Sequence, residues 1–150
     1  MRQPQSIPVE ELIPHRKPII LIDALLEAAP GRGLASKIFR RGDYGIHGDR
    51  VCETTLVECV AQTTAALFGY GQLDHPGEAG PGFLAGLSSF FFFRAPRIDE
   101  PLLIEARLGK SFGEILMVQG KVFTGAIGGE RVAEGELKIY LKNGKTSWKI

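Results

Sequence analysis

YGIHGDRVCETTLVECVAQTTAALFGY, Tyr44–Tyr70, is the stretch on which the fold turns. Thr54 or Thr55 can cap a helix there. Leu56, Val57, Val60, Ala61, Ala65, Leu67 and Phe68 follow with almost no charge, down to Gly69, where the helix is expected to end. A helix apolar nearly all round is buried on most sides. Yet this one carries Glu58 and, one turn on, Gln62, and His47 stands shortly before it. A packed core has no use for an ionisable group in that place; a proton-transfer site has.

The segments around the helix show what could bury it. Before it, Ser6 is placed to cap a short helix that has Pro8 in its first turn and Pro14 at its end. Ile19–Ala29 is apolar enough for a buried strand. GRGLASKIFRRGD then reads as a turn and a strand, with Leu34, Ser36 and Ile38 on one face and Ala35, Lys37 and Phe39 on the other. After it comes a Gly/Pro-rich loop, GQLDHPGEAGPG, which is mobile by composition. Four strand-like runs follow, starting at Gly82, Pro101, Glu114 and Glu130, with a tight-hairpin Gly pair at Gly128–Gly129. One apolar helix followed by an antiparallel meander predicts an α+β fold, a sheet wrapped around that helix. The Phe90–Phe93 run is greasy on both strand faces, so the strand is expected to be buried on both sides, one in the domain core and the other in the core too, at a subunit interface or along an acyl tunnel, the core being the leading reading. Trp148 lies in a polar tail and is left undecided.

The totals exclude several classes. The 150 residues fit one domain, 1–150, long enough for a real core. A net charge of +1 gives no nucleic-acid surface. No run reaches about 18 apolar residues, so no membrane span is expected, and MRQPQSIPVEEL has no apolar signal region. Cys52 and Cys59 have neither CxxC nor zinc spacing and are read as free thiols of a cytoplasmic protein.

Glu58 is the first candidate for chemistry. Burial among Val57, Cys59 and Val60 would favour its protonated form and suit it to general-acid work. The alternative is a helix glutamate that reaches water or pairs with an arginine. Gln62, on the same face, could bond Glu58 or a ligand, or serve only as polar packing. His47 could act as a base near neutral pH, or be a surface loop residue. His15, in a turn between Pro14 and Arg16, and His75, in the Gly/Pro-rich loop, are weaker candidates. Three scattered histidines make no metal site. Free backbone N–H groups around Glu53–Thr55 would favour a developing negative oxygen. No GxSxG, phosphate-binding glycine loop or dinucleotide fingerprint is present.

Several phrases, in order, resemble one family. LIPHRKPIILIDALLE, LVECVAQTTAAL, GFLAGLSSFFFFRAPRIDEPLLIEARL and RVAEGELKIYL are similar to the opening, central helix and later strands of the hot-dog-fold 3-hydroxyacyl-[acyl-carrier-protein] dehydratases, the FabA/FabZ group. The resemblance spans roughly residues 8–142. It implies a hot-dog fold and a dimer or higher assembly, with each site built across the dimer interface from a histidine of one subunit and a helix carboxylate of the other. Carried over, Glu58 is the carboxylate and His47 the histidine. Glu53 marks the amide that polarises the thioester carbonyl, and Gln62, Tyr44 and Phe83 are further substrate contacts. The implied reaction removes water from a 3-hydroxyacyl thioester of acyl carrier protein or CoA, with no cofactor and no metal.

The usual Gly-His-Phe-Pro-Gly phrase is missing, however, and GIHGDRVCE stands in its place. An ungapped alignment sets Tyr44, not His47, at the histidine position. This shortened pattern also resembles the divergent dehydratase-like proteins of aryl-polyene clusters, for which the partner could be a second hot-dog subunit. A hot-dog thioesterase and a non-catalytic acyl-binding subunit are the other readings.

Overall fold

The computed structural model describes residues 1–77, 81–126 and 128–142. A 3-10 turn, Pro4–Ser6, leads into a short helix α1, Val9–Leu12. Strands β1 (Ala24–Ala29) and β2 (Arg32–Ile38) follow, then a small hairpin of β3 (Ile46–His47) and β4 (Arg50–Val51). The long helix α2 is Thr55–Gln72, and β5 (Gly82–Phe92), β6 (Pro101–Phe112), β7 (Ile115–Thr124) and β8 (Arg131–Leu141) complete the chain. All but β3 and β4 form one antiparallel sheet in the order β1-β2-β6-β7-β8-β5. This is the expected α+β hot-dog arrangement.

A row of small residues seats the helix. Gly33 pairs with Ala106, Ala106 with Gly120 and Gly120 with Gly135, so one line without bulk crosses β2, β6, β7 and β8. A Cβ on Gly120 would come within 2.6 Å of Val60, and one on Gly33 within 3.3 Å of Leu67. The sheet can therefore approach α2 closely, and Leu56, Cys59, Val60, Ala66 and Leu67 are fully covered. Burial pushes the Cys59 thiol up to about 12. Both cysteines are free.

Three expectations change. Helix α2 passes through Gly69 instead of stopping there. A Cβ at Gly69 would sit 1.9 Å from the Leu12 carbonyl oxygen, so the glycine makes room for α1. The strand expected from Ile19 begins only at Ala24, because the backbone of Ile19 and Leu21 is bonded to the Gln62 side chain. Ser6 does not cap α1: its hydroxyl donates back to Gln3 O, and Pro8 precedes the helix.

The aromatic strand is also not buried on both sides in this chain. β5 is a sheet edge, with Phe91 61% and Phe83 56% exposed and Leu87 and Phe93 open as well. Among its phenylalanines, Phe90 packs on the core. The glycine turn before β8 is present, with Gly128 at φ 81°. Trp148 lies outside the described residues.

Candidate active site

Helix α2 presents Glu58, Ala61, Ala65, Phe68 and Gln72 along one face, a spacing of three or four residues each time, with Gly69 beside Phe68. At 1.5 Å per residue that face is about 21 Å long. It forms one wall of a cavity of about 770 Å³, closed on other sides by α1, the Pro14–His15 turn, Leu73 and the start of β5. The lining is mostly apolar; Glu58 and His15 stand together on it.

Glu58 is held by two neighbours. The Gln62 side-chain amide donates to Glu58 Oε1 at 2.9 Å. The same Nε2 donates to Ile19 O at 2.9 Å, and Gln62 Oε1 accepts the Leu21 N–H at 2.8 Å. Gln62 is 0% exposed. Both its N–H groups are used within the chain, so it positions Glu58 and the 19–21 backbone and has no donor left for a ligand. Its location beside Glu58 was legible in the sequence; its bonds to Ile19 and Leu21 were not.

The second neighbour is His15, whose Nε2 lies 3.5 Å from Glu58 Oε1, with the two side chains 30% and 34% exposed. Its backbone is fixed by Arg16, whose Nη1 donates to His15 O at 2.7 Å and to Ile13 O at 3.1 Å. Glu58 Oε2 has no hydrogen-bond partner among the described residues and is free to meet a ligand. Sequence reading ranked His15 low because nothing local marks a contact spanning 43 residues; the one signal was its place in the Pro-His-Arg phrase.

The other sequence candidates lie elsewhere or take a lesser part. His47 is on β3, exposed, paired in register with Arg50, and absent from the cavity lining. Tyr44 is 55% exposed and borders a second depression, beside Lys37, Arg40 and Asp43. Phe83 does line the Glu58 cavity, near Tyr140, their ring centroids 6.5 Å apart. Glu53 is half-buried in the turn before α2, where its carbonyl accepts the Leu56 N–H at 3.0 Å. The Glu53 and Thr54 N–H groups find no acceptor among the described residues. Thr54 supplies no side-chain cap. Among the described residues no three His, Cys, Asp or Glu side chains gather as a metal site. No described helix is long and apolar enough to cross a membrane.

Residues 7–148 match the sequence model of the ApeP-like family, described as ApeP dehydratase. The chain belongs to the ApeP-like dehydratase family. It is 30% identical over 140 residues to the 3-hydroxyacyl-[acyl-carrier-protein] dehydratase FabZ of Thermomicrobium roseum, covering 89% of both chains. FabZ of Natranaerobius thermophilus is 30% identical over 143 residues, covering 89% of this chain and 94% of that one. Among solved structures, the dehydratase heterocomplex ApeI:P of Xenorhabdus doucetiae superposes with a TM-score of 0.81 at 17% identity, covering 91% and 92%. A hypothetical thioesterase with coenzyme A from Streptococcus pneumoniae gives 0.61 at 10%, covering 79% and 84%. At those identities the two structures speak for the fold alone. ApeP-like membership, with FabZ relatives along nearly the whole chain, favours the dehydratase reading over the thioesterase.

Proposed function

We propose that the chain dehydrates a 3-hydroxyacyl thioester carried on acyl carrier protein, giving the trans-2-enoyl thioester and water. The observation that carries this is Glu58, which lines a mostly apolar cavity with one oxygen held by Gln62 and the other without a hydrogen-bond partner among the described residues. Such a cavity suits an acyl chain, and an open carboxyl oxygen at its polar point suits a hydroxyl that must leave. The FabZ relatives are named for this substrate.

In this reading Glu58 Oε2–H gives its proton to the 3-hydroxyl as the C3–O bond breaks. A histidine takes the C2 proton, and the C–H electron pair becomes the second C2–C3 bond. The C3–O pair leaves with the oxygen as water, so there is no net oxidation or reduction and the reaction needs no redox cofactor. The unpaired N–H groups at Glu53 and Thr54, which do not line the Glu58 cavity of their own chain, are suited to polarise the thioester carbonyl at the cavity of a second subunit. His47 is off the cavity of its own chain, so the reading seats it at the Glu58 cavity of a second subunit. The exposed edge β5, with Phe83, Leu87 and Phe91, is where that subunit, a copy or another hot-dog chain, would continue the sheet. The cytoplasm is the proposed compartment.

The test is conversion of 3-hydroxyacyl to enoyl thioester, followed in the ultraviolet, on both acyl carrier protein and CoA. Wild type should turn over, and Glu58→Gln and His47→Ala should each fall by ~100-fold or more. A loss in Glu58→Gln alone would remove His47 from the mechanism. A wild type silent on both carriers would sink the reading for the isolated chain.

A further inference from the structure

His15 has no part in the mechanism above, yet it is the histidine beside Glu58. Its Nε2 faces Oε1 at 3.5 Å, while its Nδ1 is buried and has no hydrogen-bond partner among the described residues. Those two facts constrain the ring. With the proton on Nδ1, a buried N–H would lack an acceptor, the more costly orphan. With a proton on both nitrogens the same Nδ1–H orphan remains. With the proton on Nε2 alone, the N–H is on the nitrogen nearer the Glu58 carboxyl oxygen and only a lone pair is left unmatched. The charged groups around the ring are Glu58 on α2, Glu11 on α1, which is engaged by Arg2 at 2.9 Å, and Arg16, whose guanidinium is turned to the His15 and Ile13 carbonyls.

We propose that His15 is a positioning residue for Glu58: an imidazole with a proton on Nε2 that, with the Gln62 amide, engages Oε1 and so directs the exchangeable proton to Oε2, toward the cavity. At 3.5 Å the pair is in contact and not hydrogen-bonded; the positioning role requires the contact to tighten when a ligand is bound. Two N–H donors on one oxygen make it the accepting oxygen of the carboxyl group in either ionisation state. The acidic proton then lies where a substrate hydroxyl can reach it. The catalytic consequence rests on the dehydratase reading; the tautomer does not.

The first measurement is therefore independent of turnover. Long-range proton–nitrogen NMR spectra of histidine-labelled protein, from pH 6 to 8, report which ring nitrogen of His15 carries the proton. Assignment uses His15→Gln, which lacks the signal. In the neutral ring a lone-pair Nδ1 and a protonated Nε2 are expected. An Nδ1–H tautomer of the neutral ring overturns the proposal. The second is kinetic. His15→Ala should lower kcat by about tenfold or more with KM little changed, since a donor to a carboxyl group is lost. His15→Gln, whose amide places an N–H near the Nε2 position, should recover most of that and keep the wild-type pH profile. A His15→Gln enzyme as slow as His15→Ala, with one limb of the profile gone, would make His15 a titrating base and overturn the proposal. A wild type without turnover would defeat the dehydratase reading, and the spectra would still decide the tautomer.

Discussion

Gln62 Nε2 donates to Glu58 Oε1 at 2.9 Å, and the same amide ties down the backbone of Ile19 and Leu21. The acid and the segment that ends in β1 are thus set by one buried side chain. Gln62→Leu keeps the volume and removes all three bonds. The Leu21 N–H is left buried without an acceptor, which costs about 1–3 kcal/mol. A lower unfolding midpoint in denaturant and slower turnover are expected together. An unchanged midpoint would mean that Leu21 finds another partner and that Gln62 does not organise the site.

Gly69 tests the fit of α1 on α2. In an exposed helix, Gly→Ala stabilises by about 1 kcal/mol. Here the new Cβ would fall 1.9 Å from a backbone carbonyl oxygen, which cannot rotate away. Overpacking of that kind costs about 1–3 kcal/mol and outweighs the propensity gain. Gly69→Ala should unfold at lower denaturant than wild type. Greater stability would show that α1 does not pack there as described.

These two residues show how far the sequence could be read. Helix α2 was legible because a helix apolar all round has to be enclosed. Its end was misplaced because glycine is a common stop signal, and only the position of Leu12 reveals that Gly69 answers to close packing. The strands from Gly82 onward were legible from alternation and turns. The exposure of β5 was not, since an aromatic run looks the same in a core and at an interface. At the site, Glu58 and Gln62 could be paired by helical spacing. His15 could not, because its approach to Glu58 depends on where a distant turn is fixed. His47 drew attention by nearness in sequence, and the β3–β4 hairpin holds it off the cavity of its own chain.

The acid limb of stability has a specific source in Arg94. Its guanidinium hydrogen-bonds both Glu100, with Nη1 to Oε2 at 3.0 Å, and Glu130, at 2.8 Å. The Arg94 hydrogen bonds hold the Glu100 carboxyl below its ordinary 4.5, helped by the Arg97 backbone N–H, against a burial effect of opposite sign. A carboxyl lowered on folding stabilises the native state fully above its unfolded pKa, and this is lost as pH falls through the folded value. Stability should therefore begin to drop near pH 4.5 and continue below it. Glu100→Gln should be less stable at neutral pH, by about 1–3 kcal/mol, and should show a flatter acid limb in thermal melts. An acid limb identical to wild type would assign the pH dependence to other carboxylates.

Ala65 lies on the cavity wall two turns of α2 beyond Glu58, before Phe68 and Leu73. If an acyl chain runs from Glu58 along that wall, the reacting carbons sit before Ala65 and the tail passes over it. Ala65→Trp would fill the far half and leave Glu58 and His15 unsubstituted. Short 3-hydroxyacyl chains should keep their kcat/KM within a few-fold, because nothing near the acid has moved. Long chains should lose it by on the order of 100-fold, since the site must exclude several methylenes and one alone is worth about 10-fold or more. The comparison is internal to one variant, so a general loss of folded protein cannot imitate it. Equal losses for short and long chains would mean that the substituted helix is disturbed as a whole. Equal retention would place the acyl chain outside this cavity and would separate the role of Glu58 from that of the wall on which it stands.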